Sequence, residues 1–125
     1  MTGAVSPCEE RLIALLAAAT RGPQRDGLYA LWLMLRAAEA LLPPHPLSGR
    51  HHARRLQALD TRLGSLALPA PLRRALVAAR AHLLPATAPA AALVLSQLIA
   101  PTREVLGPEA GDAIAVAARA ARIHL

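Results

Sequence analysis

Two adjacent histidines, His51 and His52, stand among four arginines in the stretch SGRHHARRLQALDTRLGSL, Ser48 to Leu66. Imidazole and guanidinium side by side raise two chemistries, metal ligation and phosphate binding. Metal ligands on one helix must share a face, which needs a spacing of i, i+3 or i, i+4. Neighbouring residues instead point about 100° apart. His52 falls on the face of Leu56 and Leu59, where a packed imidazole is expected. His45, His82 and His124 are scattered, and no Cys-x-x-Cys or His-Glu-x-x-His motif accompanies them. No metal and no other cofactor is expected.

Glu39 is an acid near the end of an otherwise apolar segment. A carboxylate in such surroundings can serve as a general base, but with Arg36 three residues earlier an ion pair is the expected outcome. Cys8 follows the apolar face of its helix and reads as a small packed thiol. No Ser/His/Asp constellation, glycine-rich phosphate loop or paired carboxylates stand out, so the expectation is a protein that is not an enzyme.

The arginines carry more information. All 14 basic side chains are arginine, against 8 acids, for a net charge of +6. GC-biased coding would produce that usage, and so would selection for the planar guanidinium fork that binds phosphate and carboxylate. Coding bias would not localise it. Residues 50–80 hold Arg50, Arg54, Arg55, Arg62, Arg73, Arg74 and Arg80 against one acid, Asp60, and the rest of the chain is neutral. The wheel puts Leu56, Leu59, Leu63 and Leu66 on one face, with Arg50 and Arg54 opposite and Arg55 and Arg62 flanking. These arginines are expected to form a basic ridge suited to a phosphate backbone. No aromatic residue lies within residues 50–80 to stack a base.

The elements that must carry this ridge are helices. Phe is absent, Trp and Tyr occur once each, and Leu and Ala dominate, which favours close-packed helices over strands. Ser6-Pro7-Cys8-Glu9 opens a first helix that stops at Gly22-Pro23. A second runs from near Asp26 to Leu42, apolar nearly all round and so central. The Pro43–Pro46 turn leads to a third, opened by Ser48 and broken between Gly64 and Pro69. Pro71 opens a fourth to about Leu84. Pro85 and Pro89 frame a turn with Thr87 as cap, and a fifth follows from about Ala90, where Pro101 either kinks or splits it before Gly107. Pro108 opens the last. The expected fold is all-α, a compact bundle of five to six short antiparallel-type helices in a single domain, 1–125.

A lone cysteine excludes a disulfide scaffold, and the acidic start is unlike a signal peptide. Prolines and Ser96-Gln97 interrupt the least charged stretch, so no membrane association is expected and the protein reads as cytoplasmic. Ala113, Val116, Ala120 and Ile123 make a second apolar face on the last helix, a partner interface in a homo- or hetero-oligomer. In size, helicity and charge the chain resembles the small helical subunits of CRISPR effector complexes, which line a strand in a ribonucleoprotein; no motif carries that likeness. The expectation is an accessory subunit whose ridge binds nucleic-acid backbone, RNA or DNA, without sequence specificity. One rival is an interaction module whose basic face meets an acidic protein. Another is a small-molecule binder using the core around Trp32 and Glu39.

Overall fold

A computed structural model describes residues 6–43, 46–84 and 86–123. The described residues form six helices and no strand: α1 Pro7–Ala18, α2 Pro23–Glu39, α3 Gly49–Ser65, α4 Ala70–His82, α5 Ala88–Leu106 and α6 Pro108–Ile123. Three begin with the expected side-chain caps. Ser6, Ser48 and Thr87 each accept a hydrogen bond from the backbone N–H three residues on, at Glu9, His51 and Ala90. Pro44, His45, Pro85, His124 and Leu125 lie outside the described residues, and with them parts of the two expected proline turns.

α2 is the hub. It packs against α1, α3, α4 and α5, while α5 and α6 form the most extensive pair and α6 closes back on α1. One core draws on all six helices, with Leu12, Leu31, Leu35, Leu59, Leu76, Leu95 and Ile114 fully buried. Each such leucine contributes about 1.5–3 kcal/mol by leaving water. α2 starts at Pro23, three residues before the sequence suggests, because proline suits the first helical turn. α1 stops at Ala18, short of Gly22-Pro23, its Ala19 cap being extended. α2 stops at Glu39 rather than Leu42, and two more turn-type bonds, Leu41 to Ala38 and Leu42 to Glu39, tighten the exit.

Pro101 does not split α5; the helix is continuous from Ala88 to Leu106. A proline removes only one donor, and packing along α6 outweighs that loss. Gly107, at φ 101°, turns the chain into α6, a backbone angle that side chains resist. Gly111 lets α6 approach α5 so closely that a Cβ there would lie 2.7 Å from Arg103 Cβ.

The expected second face of α6 needs one correction. Ala113 is fully buried in the shared core, whereas Val116 (44 % exposed), Ala120 and Ile123 (73 % exposed) stay open. Among the described residues no helix is long and apolar enough to cross a membrane.

Candidate nucleic-acid interface

The seven arginines of residues 50–80 do not form one ridge. Arg73, at the start of α4, turns its guanidinium onto the carbonyls of Leu63 and Leu66, which end α3 without helical donors. Arg80 grips Asp60 with two parallel bonds, Nε to Oδ1 at 2.8 Å and Nη2 to Oδ2 at 3.1 Å. Arg55 is half-buried and donates to the Arg36 carbonyl at 2.8 Å. Burial lowers its pKa and Arg36 adds to that, while Glu9 and Glu39 work in the opposite sense. These three arginines brace α3 against α4 and α2, because a chain without lysine uses guanidinium for its structural bonds too. Arg50, Arg54 and Arg74 are exposed, with no ion pair or side-chain hydrogen bond among the described residues. Arg74 sits on α4, beyond the Asp60–Arg80 brace.

The free and half-free arginines of α3 meet others from α2. Arg25, Tyr29, Trp32 and Arg36 recur at steps of four, three and four residues, a stripe along one side of a helix. None of the four is fully buried. The stripe lies between α1, whose Glu9 meets Trp32 and Arg36, and α3, whose Arg62 covers Tyr29; two separate clefts open beside it, and this two-cleft surface is the candidate groove. At one end lies a cleft of about 570 Å³, lined by Arg21, Arg25, Asp26, Tyr29 and Arg62, with Leu16 of α1 on its wall. At the other end a smaller one, about 190 Å³, is lined by Leu33, Arg36, Arg54, Arg55 and Ala58. From Arg25 to Arg36 the floor is about 16 Å long at 1.5 Å per residue.

Aromatic rings join the two ends. Tyr29 and Trp32 stack with centroids 5.7 Å apart and planes 26° from parallel. The Arg62 guanidinium lies 5.3 Å from the Tyr29 ring centre, and that of Arg36 5.1 Å from the Trp32 ring centre. Four planar groups thus run Arg62, Tyr29, Trp32, Arg36, each pair a favourable cation–π or aromatic contact. The basic surface of α3 is therefore not without aromatics: helix packing brings the chain's only tyrosine and only tryptophan against it. The spacing of Tyr29, Trp32 and Arg36 was the available signal, hidden because apolar residues surround it on α2.

Acids temper the groove without cancelling it. Glu9 accepts from Trp32 Nε1 at 2.9 Å and lies 3.6 Å from Arg36 Nε, so Arg36 pairs with Glu9 and not with Glu39. Glu39 accepts instead from the Ser6 hydroxyl at 2.8 Å, which ties the start of α1 to the end of α2. Burial raises the Glu39 pKa; the Ser6 bond opposes this, Glu9 adds to it, and Arg55 opposes it. With Asp26 these are three acids against six arginines, 21, 25, 36, 54, 55 and 62.

The remaining reactive groups are packed in the core or held in local surface contacts. His52 is 4 % exposed on the core face of α3, as its position predicts, and neither ring nitrogen has a partner of normal hydrogen-bond geometry. His51 contacts its own cap residue, Ser48 Oγ, at 2.7 Å, and His82 contacts Gln97 at 2.9 Å between α4 and α5. Among the described residues no three of His, Cys, Asp and Glu gather as a metal site requires. Cys8 is a buried free thiol whose pKa burial and Glu39 raise, against a smaller opposing effect of Arg11. Against known proteins, the chain matches no family model, no curated protein and no solved structure.

Proposed function

We propose that the protein is a non-catalytic helical subunit of a larger cytoplasmic assembly, and that its groove over α2 holds nucleic-acid backbone without reading sequence. The observation that carries this reading is the gathering of Arg21, Arg25, Arg36, Arg54 and Arg62 around the two clefts beside the α2 stripe, which runs about 16 Å from Arg25 to Arg36. That length spans roughly five phosphates along one strand of a B-form duplex, which rises 3.4 Å for each. Phosphates would displace condensed counterions on meeting Arg25, Arg54 and Arg62, and Arg50 extends the same charge along the outer face of α3. Arg73, Arg80 and Arg55 support the surface rather than contact the ligand.

A protein partner is favoured by a separate feature. Val116, Ala120 and Ile123 form an exposed apolar row on α6, suited to joining another subunit in a homo- or hetero-oligomer. An acidic protein on the groove itself is the alternative occupant. The two occupants are separated by titrating labelled nucleic acid of mixed sequence. Tight binding at ~50 mM salt that weakens steeply as salt rises, with little dependence on sequence, is expected. Absence of binding at that salt overturns the reading.

A further inference from the structure

The exposed apolar row on α6 is flanked by charges whose order bears on which subunit it joins. We propose that α6 pairs antiparallel with α6 of a second copy of this chain, about a two-fold axis near Val116. This rests on the reading of the α6 row as a subunit interface and names its occupant.

Three observations converge on it. Along the open face of α6 two exposed acids, Glu109 and Asp112, precede Val116, and two exposed arginines, Arg119 and Arg122, follow it. Asp112 stands four residues before Val116 and Arg119 three after; Glu109 stands seven before and Arg122 six after. Reversing one copy therefore lays acids over arginines at both ends, whereas a parallel copy would set acid on acid and arginine on arginine. The same order favours the dipole of a single α6, but the dipole gives no reason for apolar side chains at the exposed centre. That centre is the second observation: Val116 is exposed, Ile123 more so, and Ala120 between them is small enough for two helices to approach. The third is a cleft of about 370 Å³ where α6 meets α1, lined by Arg11, Ala14, Leu15, Glu109 and Asp112. Glu109 and Ile123 are each seven residues from Val116, so Ile123 of the second copy falls at this cleft, against Ala14 and Leu15. A two-fold pair covers both copies' clefts at once. Asp112 already lies 3.1 Å from Arg103, but that pair is exposed, and a carboxylate has acceptor sites for a second guanidinium. The 16 residues of α6 offer a strip about 24 Å by 10 Å, well below the roughly 800 Å² per partner of a stable interface, so the dimer is a weak one.

Sedimentation equilibrium of the full chain up to about 1 mM tests the pairing. The wild type is expected to dimerise with a Kd of about 10–300 µM, the weak range that so small a contact allows. Val116→Glu sets two carboxylates at the axis and should weaken the dimer at least about tenfold. Glu109→Arg with Asp112→Arg, and Arg119→Glu with Arg122→Glu, should each weaken it about tenfold as well, with helicity by circular dichroism unchanged. An equimolar mixture of these two double variants should dimerise at least as tightly as wild type. Every end then meets its opposite, although both chains stay net positive. A monomer throughout the concentration range overturns the inference and leaves the α6 row open to a different subunit. Double variants that stay apart when mixed overturn it equally. Dimers that none of the three variants weakens overturn it together with the reading of the row as an interface, since the copies then join elsewhere. The groove is titrated at concentrations far below this Kd, so nucleic-acid binding is tested separately.

Discussion

Arg80 and Asp60 meet through two parallel hydrogen bonds, 2.8 and 3.1 Å, that pin α4 to α3. One of the seven arginines in the basic segment is thereby neutralised by the segment's only acid. Arg73 supports the same corner by closing the end of α3. The charge excess of the sequence thus divides into arginines that hold the fold and arginines that face outward.

That division predicts separable mutant effects. Asp60 is half exposed, so Arg80→Ala should cost only about 0.5–1 kcal/mol of stability. Arg73→Ala should cost more, about 1–3 kcal/mol, because it strands the Leu63 carbonyl at the end of α3, while Leu66 keeps its bond from the Leu68 N–H. Urea denaturation measures both. Neither variant, where folded, should weaken nucleic-acid binding by more than its loss of net charge explains.

His52 should make stability depend on pH. Burial lowers its pKa below the ordinary 6.5, and Arg80 and Arg55 add to this, while the Ala37 backbone opposes it. The unfolded chain then binds the proton more readily than the native one. The contribution is complete above about pH 6.5 and is lost as pH falls through the ordinary value toward the lowered native one. Glu39 works oppositely at lower pH: its raised pKa lets the native state take up a proton first, which favours folding as pH falls toward 4.5. Thermal melts of wild type and His52→Leu between pH 7.5 and 5.5 should show the difference in midpoint shifting in favour of the leucine variant as acid is added. Parallel curves would contradict the assignment.

Gly111→Ala should destabilise the α5–α6 pair by about 1–3 kcal/mol, since the new Cβ would meet the backbone and Cβ of Arg103. The loss would be visible as a lower urea midpoint. A midpoint equal to wild type would mean that α5 and α6 are not packed so closely.

Helix number, most caps and the core face of α3 were legible in the sequence, because Ser, Thr and Pro at helix starts and leucine periodicity act locally. The outcome at Pro101 was not, since it depends on the length of packing along α6. The site was half legible. Charge counting located the arginines, but whether a guanidinium faces water or a neighbouring carbonyl is decided by partners distant in sequence, as with Arg55 and Arg36 or Arg73 and Leu63. The contribution of α2 was hidden for the same reason: Trp32 reads as core in the sequence, whereas it and Tyr29 are only partly buried and meet arginines of α2 and α3. Ala113 was misplaced because its burial in the shared core depends on partners distant in sequence, which periodicity along α6 alone does not show.

The groove itself is tested most directly by two double variants with the same change in net charge. Arg25→Glu with Arg54→Glu alters the two ends of the groove, whereas Arg74→Glu with Arg122→Glu alters exposed positions on α4 and α6. Single-strand affinity is measured for each as a function of salt. The groove pair should lose tenfold or more in affinity and flatten the log–log salt slope by about 1.4, roughly 0.7 for each phosphate contact removed. The control pair should keep the wild-type slope and most of the affinity. Equal losses in the two variants would contradict the account, because binding would then follow overall charge and not the surface built around α2.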